Sequence, residues 1–217
     1  MNGPYIVYGA AGSGSVPVEA ALALLDLPYR VEECAPWESP ERAAELARTN
    51  PMLQVPALML PTGELMTESA AILIWLADAH PQAGLAPTLT AAARPSFLRW
   101  MSFVSSAIYS LYWIRDDPTR ITHRPEDHEV TKARLVDRIV HCWGVMEAET
   151  TPQRYILGDD LSVLDLYVAT VSRWSPGRRR FYDAAPRLAD VVRRVDAEPR
   201  LTNFWTERFP FAEAWER

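Results

Sequence analysis

The sequence predicts a two-part fold, a small α/β unit followed by an all-helical one. Three observations carry that expectation. Short β-rich runs alternate with helical patterns over the first eighty residues. A stretch rich in proline and small residues, HPQAGLAPTLTAAARP, then breaks the pattern, and the chain beyond it has helical periodicity throughout.

Each element has its own signal. YIVYGAAGSGS is a β-rich run that breaks at glycines, hence a strand and a loop. From Val16, VPVEAALALLDL is rich in helix formers, and Pro17 is admissible in a helix's first turn. PYRVEECA reads as a second strand and residues 41–48 as a second helix. VPALML is a third strand, and PTGELMT a hairpin turn into a short fourth. Ser69 to Ala79 follows as a helix with Ile72, Leu73, Trp75, Leu76 and Ala79 on its apolar face. The order is β-α-β-α-β-β-α. Beyond the proline-rich stretch, Phe97, Trp100, Met101, Val104, Ile108 and Leu111 mark the buried face of one long helix. Residues 130–149 form another. In LSVLDLYVA, Ser162 and Asp165 have capping-box spacing, flanked by Leu161 and Leu166 as a hydrophobic staple. The expected division is 1–82, a linker at 83–90, and a helical domain at 91–217, with no internal repeat.

Composition excludes several classes. Among 217 residues, 48% hydrophobic and 23% charged is ordinary for a globular protein. A net charge of -6 repels polyphosphate and argues against a nucleic-acid binder. No apolar run approaches the ~20 residues of a membrane span, and MNGPYIVYGA lacks a leader's basic and apolar blocks. A cytoplasmic location is the default, without membrane partners. Cys34 and Cys142 stand far apart in no metal or redox spacing, which predicts two inert thiols. His123 and His128 flank a polar loop, so no metal is expected. Arg178, Arg179 and Arg180 read as a solvated turn after Pro176 and Gly177.

Pro56 sits inside an apolar run, and Glu68 and Ser69 open a helix. With NPMLQVPAL at 50–58, ESAAILIWLA at 68–77 and SVLDLYVA at 162–169, in that order, the chain resembles the cytosolic glutathione transferase family over essentially its whole length, in bacterial form. The resemblance implies a thioredoxin-like N-terminal domain and an all-α C-terminal one. It also implies a cis Val55–Pro56 bond, leaving Val55's backbone N–H and C=O for an extended peptide to pair with. Leu53 stands where the family usually has glycine, which implies a different bend in that loop.

From the same resemblance, glutathione is the co-substrate, held by Gln54, Val55, Pro56, Glu68 and Ser69. The N-terminus of the helix at Ser69 favours the γ-glutamyl carboxylate, and Glu68 suits the ammonium. The alternative for this corner is simple capping by Thr67. Catalysis needs a donor for the glutathione thiolate. Ser13 falls nearest the serine-type position, while Ser15 and Tyr8 remain alternatives; Gly14 occupies the cysteine-type position. Phe103, Ser106, Tyr109 and Trp113 share a stripe that would face a second substrate between the domains. The implied activity is conjugation of glutathione to small, mostly apolar electrophiles, as in detoxification, by a homodimer. Isomerisation, dehalogenation or disulfide reduction with the same thiolate is the near alternative, and a non-enzymatic binding or regulatory homologue the distant one. The first loop lacks CxxC, which disfavours a thioredoxin-like reductase.

Overall fold

The computed structural model describes residues 3–174 and 177–211. Its sheet has four strands in the order β2-β1-β3-β4. β1 (Tyr5–Gly9) pairs in parallel with β2 (Tyr29–Glu33), as expected of strands joined through a helix, α1 (Val16–Leu24). α2 (Pro40–Ala47) follows, capped by the Ser39 hydroxyl, which accepts from the Arg42 N–H. β3 (Ala57–Met59) runs antiparallel to β1 with Val7 opposite Leu58, and β4 (Leu65–Thr67) closes the hairpin. α3 (Ser69–Ala79) has the bounds read from the sequence. Helices α1 and α3 pack together and both meet α7 (Val163–Val171). One continuous core therefore runs from Val7 and Leu22 through Leu73 to Trp143 and Tyr167.

A bidentate pair, Arg94 to Asp78 at 2.8 and 2.6 Å, ties α3 to α4 (Arg94–Phe103). The expected single long helix is not continuous in geometry. A π-helical turn spans Val104–Tyr109 before α5 (Ser110–Asp116). The extra residue per turn rotates everything after it relative to an unbroken helix. α6 (His128–Glu149), α7, α8 (Arg178–Ala184), α9 (Pro186–Asp196) and α10 (Thr202–Arg208) complete the helical part.

One sequence expectation changes here. Arg178 is fully buried in the first turn of α8, not solvated: it pairs with Asp196 and donates to the Ala169 carbonyl at 2.8 Å. Only Arg179 and Arg180 of that run are exposed. Leu53 has a backbone that few residues other than glycine adopt. With φ of 55° it takes the left-handed backbone that favours glycine, at a cost of about 1–2 kcal/mol. The capping box at α7 is present, and Asp165 does more than cap. Its carboxylate accepts from Ser162 N–H at 2.8 Å, Ser162 Oγ at 2.6 Å and Ile156 N–H at 2.9 Å. Burial raises that carboxyl to about 6, and the three donors offset part of the rise. Both cysteines are free and buried; burial pushes the Cys34 thiol up to about 11. No helix among the described residues is long and apolar enough to cross a membrane.

Candidate functional site

A cleft of about 890 Å³ lies where the glycine loop after β1, the Asn50–Pro56 loop, the start of α3 and the α4–α5 region converge. That is within the range of small-molecule sites. The polar wall is built by the α/β part. The Val55–Pro56 peptide bond is cis, and both residues line the cleft. Asn50 holds this loop from beneath, donating through Nδ2 to the Gln54 carbonyl at 2.8 Å and accepting from Met52 N–H at 3.1 Å. Gln54 also faces the cleft.

Glu68 and Ser69 form the far corner. Glu68 is the N-cap of α3 and adopts φ of 67°, a strained backbone of the kind that concentrates at functional sites. The helix is thus not capped by Thr67, which ends β4. The Ser69 hydroxyl is 2.9 Å from the Tyr167 hydroxyl of α7. Burial raises the Tyr167 phenol to about 12, so it stays protonated as a partner.

Of the three competing hydroxyls, Ser13 alone lines the cleft. Tyr8 packs against Cys34, Leu46 and Val55. Ser15 is fully buried, and although it is the N-cap of α1, its side chain does not cap. Its Oγ lies 2.6 Å from Glu19 Oε1, against 3.3 Å from the Ala10 carbonyl. Its single hydrogen therefore goes to the carboxylate, the stronger acceptor. Ser13 Oγ, 3.0 Å away, faces Ser15 as a donor and accepts from the N–H groups of Ala10 and Ser15 at 3.3 and 3.2 Å. Glu19 directs the proton of Ser15 inward and leaves Ser13 the one hydroxyl of the pair able to turn its hydrogen to the cleft.

Glu19 is buried completely and is balanced by Arg208 of α10, whose Nε reaches Oε2 at 2.5 Å. Arg208 also pairs with Glu33 at 2.5 Å, and its carbonyl accepts from Gly12 N–H at 2.8 Å. Trp174 Nε1 donates to the Gly12 carbonyl at 2.8 Å. The glycine loop is thereby held on both sides by residues more than 160 positions away. Sequence reasoning missed Glu19, Asn50, Tyr167, Trp174 and Arg208. Glu19 gave a signal as an acidic residue in the apolar run VPVEAALALL, and Asn50 and Tyr167 lie inside the motifs NPMLQVPAL and SVLDLYVA without a role of their own having been read there.

The opposite wall is aromatic. Of the expected stripe, Tyr109 and Trp113 line the cleft. Phe103 and Ser106 do not: Phe103 packs edge-on against Trp100 at 5.3 Å, and Ser106 is exposed and bonds back to the Ser102 carbonyl. The π turn breaks the i, i+3 extrapolation, bringing Ser105, Ser110 and Tyr112 to the cleft instead. Tyr109 stacks edge-on against Trp174 at 4.7 Å and donates to the Val55 carbonyl at 3.1 Å. Burial holds its phenol far above the ordinary value, with Tyr167 and Glu68 adding to the shift, so it stays a donor. Among the described residues, no cluster of His, Cys, Asp and Glu could hold a metal ion.

Sequence and fold match known proteins. The model of the glutathione S-transferase N-terminal domain matches residues 13–79. The chain is 31% identical over 198 residues to the uncharacterised GST-like protein YncG of Escherichia coli (strain K12), covering 90% of this chain and 94% of that one. It is 25% identical to glutathione S-transferase GstA of Escherichia coli O157:H7, over 74% of this chain and 77% of that one. A glutathione transferase homologue from Sulfitobacter, solved with bound glutathione, matches with a TM-score of 0.85 at 24% identity, covering 95% of this chain and 99% of that one. The fold, a thioredoxin-like N-terminal domain with a helical part, is that of these proteins. The chain belongs to the glutathione S-transferase family.

Proposed function

We propose that the chain is a glutathione transferase. Glutathione lies along Gln54, Val55, Pro56, Glu68 and Ser69, and Ser13 stabilises its thiolate. The sulfur lone pair then forms a C–S bond to a small, mostly apolar electrophile resting on Tyr109, Tyr112, Trp113 and Trp174, while the leaving group departs with its electron pair. The observation that carries this reading is the chain of contacts from Ser13 Oγ to Ser15 Oγ at 3.0 Å and on to Glu19 Oε1 at 2.6 Å, a geometry that favours leaving the Ser13 hydrogen for an acceptor in the cleft. A thiolate, being charged, outcompetes the neutral Ser15 oxygen for it. Residues 1–82 form the glutathione-binding unit, 83–90 the linker and 91–217 the helical unit.

Titration of the wild-type chain with glutathione, beside a rate panel of chlorinated aromatics and other electrophiles, tests the proposal. Absence of any glutathione binding would sink it. At the far corner, Ser69→Ala is expected to weaken glutathione binding roughly tenfold, through loss of one hydrogen bond to a charged group. Glu68 is exposed, so Glu68→Ala should cost only about two- to fivefold in Kd. In both variants turnover at saturating glutathione stays within about twofold of wild type. Unchanged Kd with collapsed turnover would remove both residues from the binding role.

The active form is proposed as a homodimer, whose interface would need at least about 1,000 Å² to be stable. Sedimentation at micromolar concentration should give twice the chain mass of 24.5 kDa. A monomer there contradicts it.

A further inference from the structure

We propose that Tyr109 is a built-in competitor of the ligand: its hydroxyl occupies the Val55 carbonyl that the ligand's peptide N–H must reach, and binding requires it to leave. The inference rests on the glutathione reading above and adds to it a residue that sets affinity. Three observations on different elements converge. The Tyr109 hydroxyl donates to the Val55 carbonyl at 3.1 Å. The same oxygen lies only 1.9 Å from where a Cβ on Gly14 would sit, and that position is itself 3.1 Å from the Val55 carbonyl. The phenol thus fills the gap between the glycine loop and the Asn50–Pro56 loop, and Gly14 is the residue that leaves room for it. Tyr109 also ends the π-helical turn, the place where its helix departs from regular geometry.

A carbonyl has two lone pairs, so a second donor is not excluded by valence. It is excluded by space, because an extended peptide backbone cannot enter a gap already bridged by a phenol oxygen. Displacement has somewhere to go: the cleft beyond is wide, and the ring already meets Trp174 and Tyr167 edge-on at 4.7 and 6.2 Å. The ligand therefore loses part of its affinity to breaking this contact, in proportion to how firmly the tyrosine holds the carbonyl.

Tyr109→Phe tests this while retaining the ring. Removing the hydroxyl leaves the Val55 carbonyl without that donor until the ligand arrives. The Kd of the full chain for glutathione should fall roughly two- to tenfold, the equivalent of one neutral hydrogen bond, with the gain in the association rate. Unchanged or weaker binding by a variant with wild-type thermal stability overturns the inference and leaves the glutathione reading intact. Binding by the variant but not by wild type supports both. Binding by neither ends both. A crystal structure of the wild type with glutathione is a second measurement independent of the variant's folding. It should show Tyr109 off Val55, and a retained contact beside bound ligand overturns the inference.

Discussion

Ser13→Ala is expected to lower turnover roughly 10- to 150-fold while glutathione affinity changes little. The hydroxyl acts on the sulfur, and a hydrogen bond to a charged acceptor is worth about 1.5–3 kcal/mol, at ~1.4 kcal/mol per decade of rate. The pH–rate profile discriminates this from a packing defect. Without the donor, the bound thiol's pKa rises towards its free value, so the activity limb moves to higher pH and the deficit narrows there, where the thiol ionises unaided. A uniform loss at every pH would assign Ser13 a structural part only. If Ser13→Ala is silent and Tyr8→Phe is inactive, the donor is Tyr8. Ser15→Ala is less clean, because it also removes the partner that Glu19 holds.

The largest stability effect is expected at Asp165. Asp165→Ala strips the acceptor from Ser162 N–H, Ser162 Oγ and Ile156 N–H, all in a buried place. Each orphaned donor costs about 1–3 kcal/mol, and some relaxation brings the total to about 3–5 kcal/mol. At roughly 2–4 °C per kcal/mol for a chain of this size, the thermal midpoint should fall by about 6–20 °C. Since α7 packs directly on α1 and α3, the loss should appear as whole-chain unfolding in a calorimetric scan. A fall under about 3 °C would mean that the three donors find other partners.

Both sites show what a sequence exposes and what it hides. Ser162 and Asp165 are three residues apart, and a local rule reads them. The same holds for α3, whose bounds follow from the change between turn chemistry and an apolar helical face. The β-α-β-α-β-β-α order was legible for that reason. The family resemblance implied Ser13, with Ser15 and Tyr8 left as alternatives that no local pattern could remove. What separates it from Ser15 is the 2.6 Å contact with Glu19, a tertiary distance with no sequence signature beyond one acidic residue among apolar neighbours. Phe103 and Ser106 were misassigned because periodicity assumes a constant 3.6 residues per turn, and the π turn violates it between the residues concerned. Arg178 looked like its two neighbours in a cationic run. Its partner Asp196 lies 18 residues on, in another helix, and no local pattern announces that meeting.

The Arg208–Glu19 pair has a consequence for how the protein is made. The two residues are 189 positions apart, so Glu19 in α1 receives its counter-charge only once α10 has been synthesised. Until then the nascent α/β unit must either bury Glu19 without a cation, at a cost of several kcal/mol, or leave its glycine loop open to water. Chain entropy sets a further delay, because contacts between the two ends of a polypeptide are the slowest to form. Closure of the glycine loop over its buried carboxylate therefore has to wait for α10 to be made and docked.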